Sequence, residues 1–121
     1  MKVLSLAFCL LYALLPVDAL AGDWIVWRAS QIGSYPAKWS PQTEFPSREE
    51  CDRAKQQFVT AAVELLEANQ ADYSQVEVSK VGKIAARLTR PMPRLNESMP
   101  LIYPSLFVWF ECWPAGTQPG R

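Results

Sequence analysis

From Cys51 to Ala68 apolar residues recur at alternating spacings of three and four: Cys51, Ala54, Phe58, Ala61, Leu65 and Ala68, with Ala62 and Leu66 widening the stripe. Asp52, Arg53, Lys55, Gln56 and Gln57 fill the opposite side. That period predicts an amphipathic helix over residues 47–68. Ser47-Arg48-Glu49-Glu50 reads as a capping box, in which the Ser47 hydroxyl accepts from the Glu50 amide and the Glu50 carboxylate reaches back. Glu49, Glu50 and Asp52 put negative charge at the positive end of the helix dipole, and Pro46 marks where the helix begins. Cys51 lies on the buried stripe, so its sulfur points into the core.

Two stretches carry the alternation of strands. Asp23 to Ala29 is aromatic and β-branched, with Trp24 and Val26 facing one way and Ile25 and Trp27 the other. Apolar character on both faces predicts a strand inside a sheet. In Leu106 to Trp113, Leu106, Val108, Phe110 and Cys112 share one face, and Phe107, Trp109, Glu111 and Trp113 the other. Cys112 then lies on the face suited to the helix stripe that holds Cys51. Between these anchors the pattern is looser. Residues 30–46 read as an irregular link, with Gly33, Pro36, Pro41 and Pro46 among Tyr35, Trp39 and Phe45, expected to lie flat on the body. Residues 71–90 fit either a hairpin or a helical face. The hairpin is preferred because Gly82 costs about 1 kcal/mol inside a helix. Arg90 to Pro104 is a proline-punctuated loop in which Asn96-Glu97-Ser98 matches the glycosylation acceptor pattern, taken here as incidental.

The first 21 residues change the setting. Lys2, an apolar run from Val3 to Leu15 and Ala19-Leu20-Ala21 give the plan of a cleaved signal peptide, and Cys9 would leave with it. Residues 22–113 are then a single domain and 114–121 a flexible tail. Two cysteines remain, Cys51 and Cys112, and in an exported chain they have one intramolecular pairing available. The expected fold is therefore α+β: a small antiparallel sheet with one long amphipathic helix, 47–68, on one face, tied by a single disulfide.

A Trp24-x-x-Trp27 strand just after the signal, Trp39 and Phe45 before a helix with an early Cys51, and a terminal Cys112-Trp113-Pro114 form a set of landmarks. Together they resemble a loose family of small exported bacterial proteins of unknown function. The resemblance implies bacterial export, periplasmic or extracellular. It departs in the tail, which reads Ala-Gly-Thr-Gln-Pro-Gly-Arg where the family has acidic residues and Asp-Pro-Arg, and in a longer 90–104 loop.

Composition narrows the chemistry. The chain has no histidine, which removes the commonest general base and metal ligand. No phosphate-cradling glycine loop and no Gly-x-Ser-x-Gly is present. No catalytic residue, metal or cofactor is expected, and the chain is read as a non-catalytic exported binding or interaction module of the bacterial envelope. The alternatives are a small envelope enzyme acting on polysaccharide through carboxylates such as Glu97 and Glu111, or a structural envelope component.

With twelve residues of each charge sign, the balance gives no reason to expect nucleic acid as a partner. No stable membrane insertion is expected after signal cleavage, because Pro100, Pro104 and Glu111 break the best apolar run. The partner is unknown, an envelope polymer or another exported protein being the candidates. Two surfaces are candidates for contact. One is aromatic, Trp24, Trp27, Phe107, Trp109 and Trp113, unless residues 30–46 cover it. The other is basic, Lys80, Lys83, Arg87, Arg90 and Arg94, unless these are simply the solvated charges of an edge strand.

Overall fold

The computed structural model describes residues 23–120. The signal segment read at 1–21 lies outside the described residues. Five strands and one helix follow in the order β1 (Trp24–Ile32), β2 (Lys38–Phe45), α1 (Arg48–Ala68), β3 (Tyr73–Val78), β4 (Ile84–Leu88) and β5 (Ser105–Pro114). The strands form one sheet in the order β2-β1-β5-β4-β3, and every neighbouring pair is antiparallel. The fold is α+β, with α1 packed on one face and Cys51 bonded to Cys112.

At the start of the helix one half of the expected capping box is formed, that of the Ser47 side chain. Ser47 is extended and its hydroxyl accepts the Glu50 amide at 3.2 Å; the Asn69 amide closes the other end on the Leu66 carbonyl. The buried stripe is rotated from the one predicted. Cys51, Val59 and Leu66 are buried, with Phe58, Ala62 and Val63 packed beside them, whereas Ala61, Leu65 and Ala68 are exposed. Alternating threes and fours average 3.5 residues per turn. That slow slip against 3.6 is not the main cause: Val59, Ala62, Val63 and Leu66 mark the centre of the buried stripe, and the row Ala61, Leu65 and Ala68 falls on its solvent edge.

On the sheet, Val26 of β1 pairs with Cys112 of β5, and both face the helix. Ile84 and Ala86 of β4 and Leu106, Val108 and Phe110 of β5 complete the core. The disulfide spans a sequence separation of 61 with its Cα atoms 6.1 Å apart, joining the first turn of α1 to the central strand. In the chain-entropy account such a loop contributes about 4 kcal/mol.

Three segments differ from or refine the sequence expectation. Residues 38–45 are not an irregular link but an edge strand, paired with β1 from Trp24↔Phe45 to Ser30↔Lys38. The register shifts between Val26 and Trp27, where Pro41 sits, and an edge tolerates such a proline because one side of the strand needs no ladder bonds. Residues 71–90 are the hairpin, turning through Ser79–Lys83 with Gly82 at φ 83°. A register shift between Ser74 and Glu77 marks β3, where Gln75 has φ 53°. Residues 115–120, expected to be free, fold back: the Ala115 amide donates to the Asp23 carbonyl at 2.9 Å and Pro119 is buried.

Candidate functional site

The sheet face turned away from α1 holds four of the five tryptophans, Trp27, Trp39, Trp109 and Trp113, together with Phe107. Ile25, Trp27 and Ala29 of β1 stand opposite Trp113, Glu111 and Trp109 of β5, and Gln31 opposite Phe107. From β2, Trp39 pairs with Ala29. Ala29 is fully buried and carries only a methyl group, so the indoles on either side close over it. Trp39 and Trp109 meet edge to face with ring centroids 5.7 Å apart.

Along β5 the alternation places Trp109, Glu111 and Trp113 in one row. The Glu111 carboxylate takes one indole N–H on each oxygen, from Trp109 Nε1 at 2.8 Å and Trp113 Nε1 at 3.3 Å. A charged acceptor between two rings fixes both orientations while satisfying their only polar atoms. On the β4 side, the Lys83 ammonium lies 4.9 Å from the centroids of both Phe107 and Trp109. Its backbone is pinned: the Lys83 amide donates to the Ser79 hydroxyl at 3.0 Å, and its carbonyl accepts from the Ser79 amide at 2.9 Å. Phe107, Trp109 and Trp113 are half-buried, so their rings retain solvent-facing surface beside a cation and an anion.

The other half of this face is covered. Gly116, Thr117 and Gln118 border a shallow depression with Ile25 and Trp27. Gly120 lies against Trp39, where an added Cβ would come within 2.8 Å of the indole nitrogen. Trp27 is 8% exposed, and its Nε1 is buried without a hydrogen-bond partner. The cover is therefore the C-terminal tail rather than residues 30–46. Of that segment, Phe45 packs against the helix-side core, Tyr35 is exposed, and Trp39 belongs to the aromatic face itself.

The five aromatic candidates thus separate. Phe107, Trp109 and Trp113 form the accessible row and Trp27 lies beneath the tail. Trp24 lies on the opposite face, packed against the core with the Arg48 guanidinium 5.3 Å above its ring. The basic candidates separate too. Lys83 and Arg87 belong to the aromatic side, alternating with the buried Ile84 and Ala86. Lys80 is in the β3–β4 turn, Arg90 is 3.7 Å from Asp72, and Arg94 donates to the carbonyls of Glu97 and Met99. The two carboxylates considered for catalysis stand on different elements, Glu97 in the 89–104 loop and Glu111 between the indoles.

The tail was missed from sequence, and Trp39, expected only within a covering link, is a member of the face itself. An aromatic residue inside an otherwise polar, proline-bearing stretch was the available sign for Trp39; the tail offers no periodic signal. Among the described residues no cluster of three or more His, Cys, Asp or Glu side chains is arranged to hold a metal. Comparison with family models, curated proteins and solved structures gives no match for this chain.

Proposed function

We propose that this chain is a non-catalytic binding module, exported to the bacterial periplasm or beyond, that holds an acidic sugar polymer against Phe107, Trp109 and Trp113. The observation that carries this reading is the Lys83 ammonium held over two aromatic rings at 4.9 Å, beside an indole row whose geometry Glu111 fixes. Aromatic planes stack on the apolar faces of sugar rings, and a neighbouring cation selects polymers bearing carboxylates. Arg87 is on the same side of β4, with Glu77 of β3 beside it. An open sheet face suits an extended polymer better than a small molecule, which calls for a concave pocket.

Export rests on the amino-terminal signal pattern and agrees with the Cys51–Cys112 disulfide. Among the described residues no helix is long and apolar enough to cross a membrane.

The test compares a soluble polyuronate with a neutral glucan of matched length, by calorimetry, on the oxidised chain. The polyuronate binds and the neutral glucan binds more weakly. Lys83→Met, which keeps the packing but removes the charge, lowers polyuronate affinity by about tenfold and narrows the difference between the polymers. Equal affinities of wild type and Lys83→Met, or no binding of either polymer, would contradict the reading.

A further inference from the structure

Between β4 and β5 the chain leaves the sheet and builds a protruding loop over residues 89–104. The loop is braced. Its limbs are joined by the Leu88 amide on the Pro104 carbonyl at 2.9 Å and the Met92 amide on the Ile102 carbonyl at 2.7 Å. Its tip is closed by the Met99 amide on the Asn96 carbonyl and the Ser98 amide on the Asn96 side chain. Arg94 ties it from within, donating to the carbonyls of Glu97 at 3.3 Å and Met99 at 3.0 Å. Pro91, Pro93, Pro100 and Pro104 further restrict both limbs.

This braced backbone holds its large apolar side chains out in solvent. Leu95 is 93% exposed, Ile102 53% and Leu101 52%, with Met99 and Tyr103 also exposed. A loop ordered by its own hydrogen bonds does not need these residues for folding, and on a water-facing surface they bring no benefit. Basic side chains stand at the base of the loop: Arg87 near the end of β4 and Arg90 just beyond it, the latter largely exposed although 3.7 Å from Asp72, while Glu97 is the one acid within the loop.

We propose that the 95–103 loop is a peripheral membrane-binding element, dipping Leu95, Leu101 and Ile102 into the interface of a bilayer rich in anionic lipid. Arg87 and Arg90 meet the headgroups from the base of the loop, and Tyr103 supplies an amphipathic ring of the kind favoured at that depth. A protrusion with apolar residues at its tip and on one limb matches a yielding lipid interface, which needs no complementary pocket. The preformed shape limits the ordering cost of insertion. The apolar residues of this element lie apart from Phe107, Trp109 and Trp113, with Arg87 bordering both surfaces, and the element leaves the chain reversibly attached rather than spanning.

The experiment is flotation of the folded, oxidised protein with two kinds of vesicle, pure phosphatidylcholine and a phosphatidylcholine–phosphatidylglycerol mixture. Wild type floats with the mixed vesicles far more than with the neutral ones, and rising salt weakens the difference. The Leu95→Asp/Leu101→Asp double variant, altered only at exposed positions, keeps its circular dichroism spectrum and loses at least about tenfold in partitioning. Arg87→Gln and Arg90→Gln each lose about fivefold on the mixed vesicles and nothing on the neutral ones. Failure of wild type to float, or flotation of the double Asp variant equal to wild type, would overturn the proposal. So would self-association abolished by Leu95→Asp without vesicle binding, which would make a second copy of the chain the occupant.

Discussion

Trp39 and Trp109 meet edge to face, with ring centroids 5.7 Å apart and planes at 85°, across Ala29, which pairs in register with both. Three strands are joined on the solvent-side face by this contact, and it depends on the middle residue being small.

Ala29→Leu tests that dependence. The added atoms must enter a position that is fully buried, between two indoles that touch. Overpacking of this kind costs about 1–3 kcal/mol. The variant should unfold at lower urea concentration, and the near-ultraviolet circular dichroism of the indole pair should weaken. An unchanged spectrum would show that the rings do not interact in solution.

The tail makes a second contact with the same indole. Gly120 has φ 83°, and a Cβ there would lie 2.8 Å from Trp39 Nε1 and 2.9 Å from its Cδ1. Gly120→Ala is strained by conformation and by space together. The variant should lift residues 115–120 from Trp39 and Trp27, raising acrylamide quenching of tryptophan fluorescence and shifting emission to the red. The stability loss should be small, about 1 kcal/mol, since only the end of the chain is displaced. Quenching equal to wild type would place the tail elsewhere.

The disulfide has a larger expected effect. Cys51→Ala/Cys112→Ala removes a crosslink across a separation of 61 residues and should lower unfolding free energy by about 4 kcal/mol. For a domain with a total of roughly 5–15 kcal/mol, the doubly substituted chain would be close to unfolding at physiological temperature. Urea denaturation of the variant and of the reduced wild type should agree, because both remove the same constraint.

Much of this architecture was legible in the residues. The helix declared itself through its capping box and periodicity, and β1 and β5 through alternation. Cys51 and Cys112 could be placed in one layer because the helix stripe and the strand face each assign their sulfur to the core, where the bond lies. What stayed illegible follows from physical causes. β2 hides because an edge strand satisfies ladder bonds on one side only, so Pro41 and polar neighbours are tolerated and the alternation dissolves. Part of the helix stripe was misplaced because Ala61, Leu65 and Ala68 are apolar yet lie on its solvent edge, while Val59 and Val63 on the other side complete it. The row Phe107, Trp109, Glu111 and Trp113 was readable as a shared face, but its partners across the sheet were not. Trp39 and Lys83 reach it through pairings that only the strand order β2-β1-β5-β4 supplies. Trp24 fell on the other face because its apolar neighbours allowed either assignment, and the register with Phe45 and Pro114 decides it.

The most direct measurement is a nitrogen-correlated proton spectrum of the indole N–H groups as polyuronate is added to the isotopically labelled protein. The chain has five tryptophans, so each resonance can be assigned by single substitution. A ligand seated on the accessible row should move the Trp109 and Trp113 resonances, whose N–H groups donate to Glu111, and leave Trp24 unmoved on the helix side. No shift of Trp109 and Trp113, or a shift confined to Trp24, would contradict the aromatic face as the binding surface.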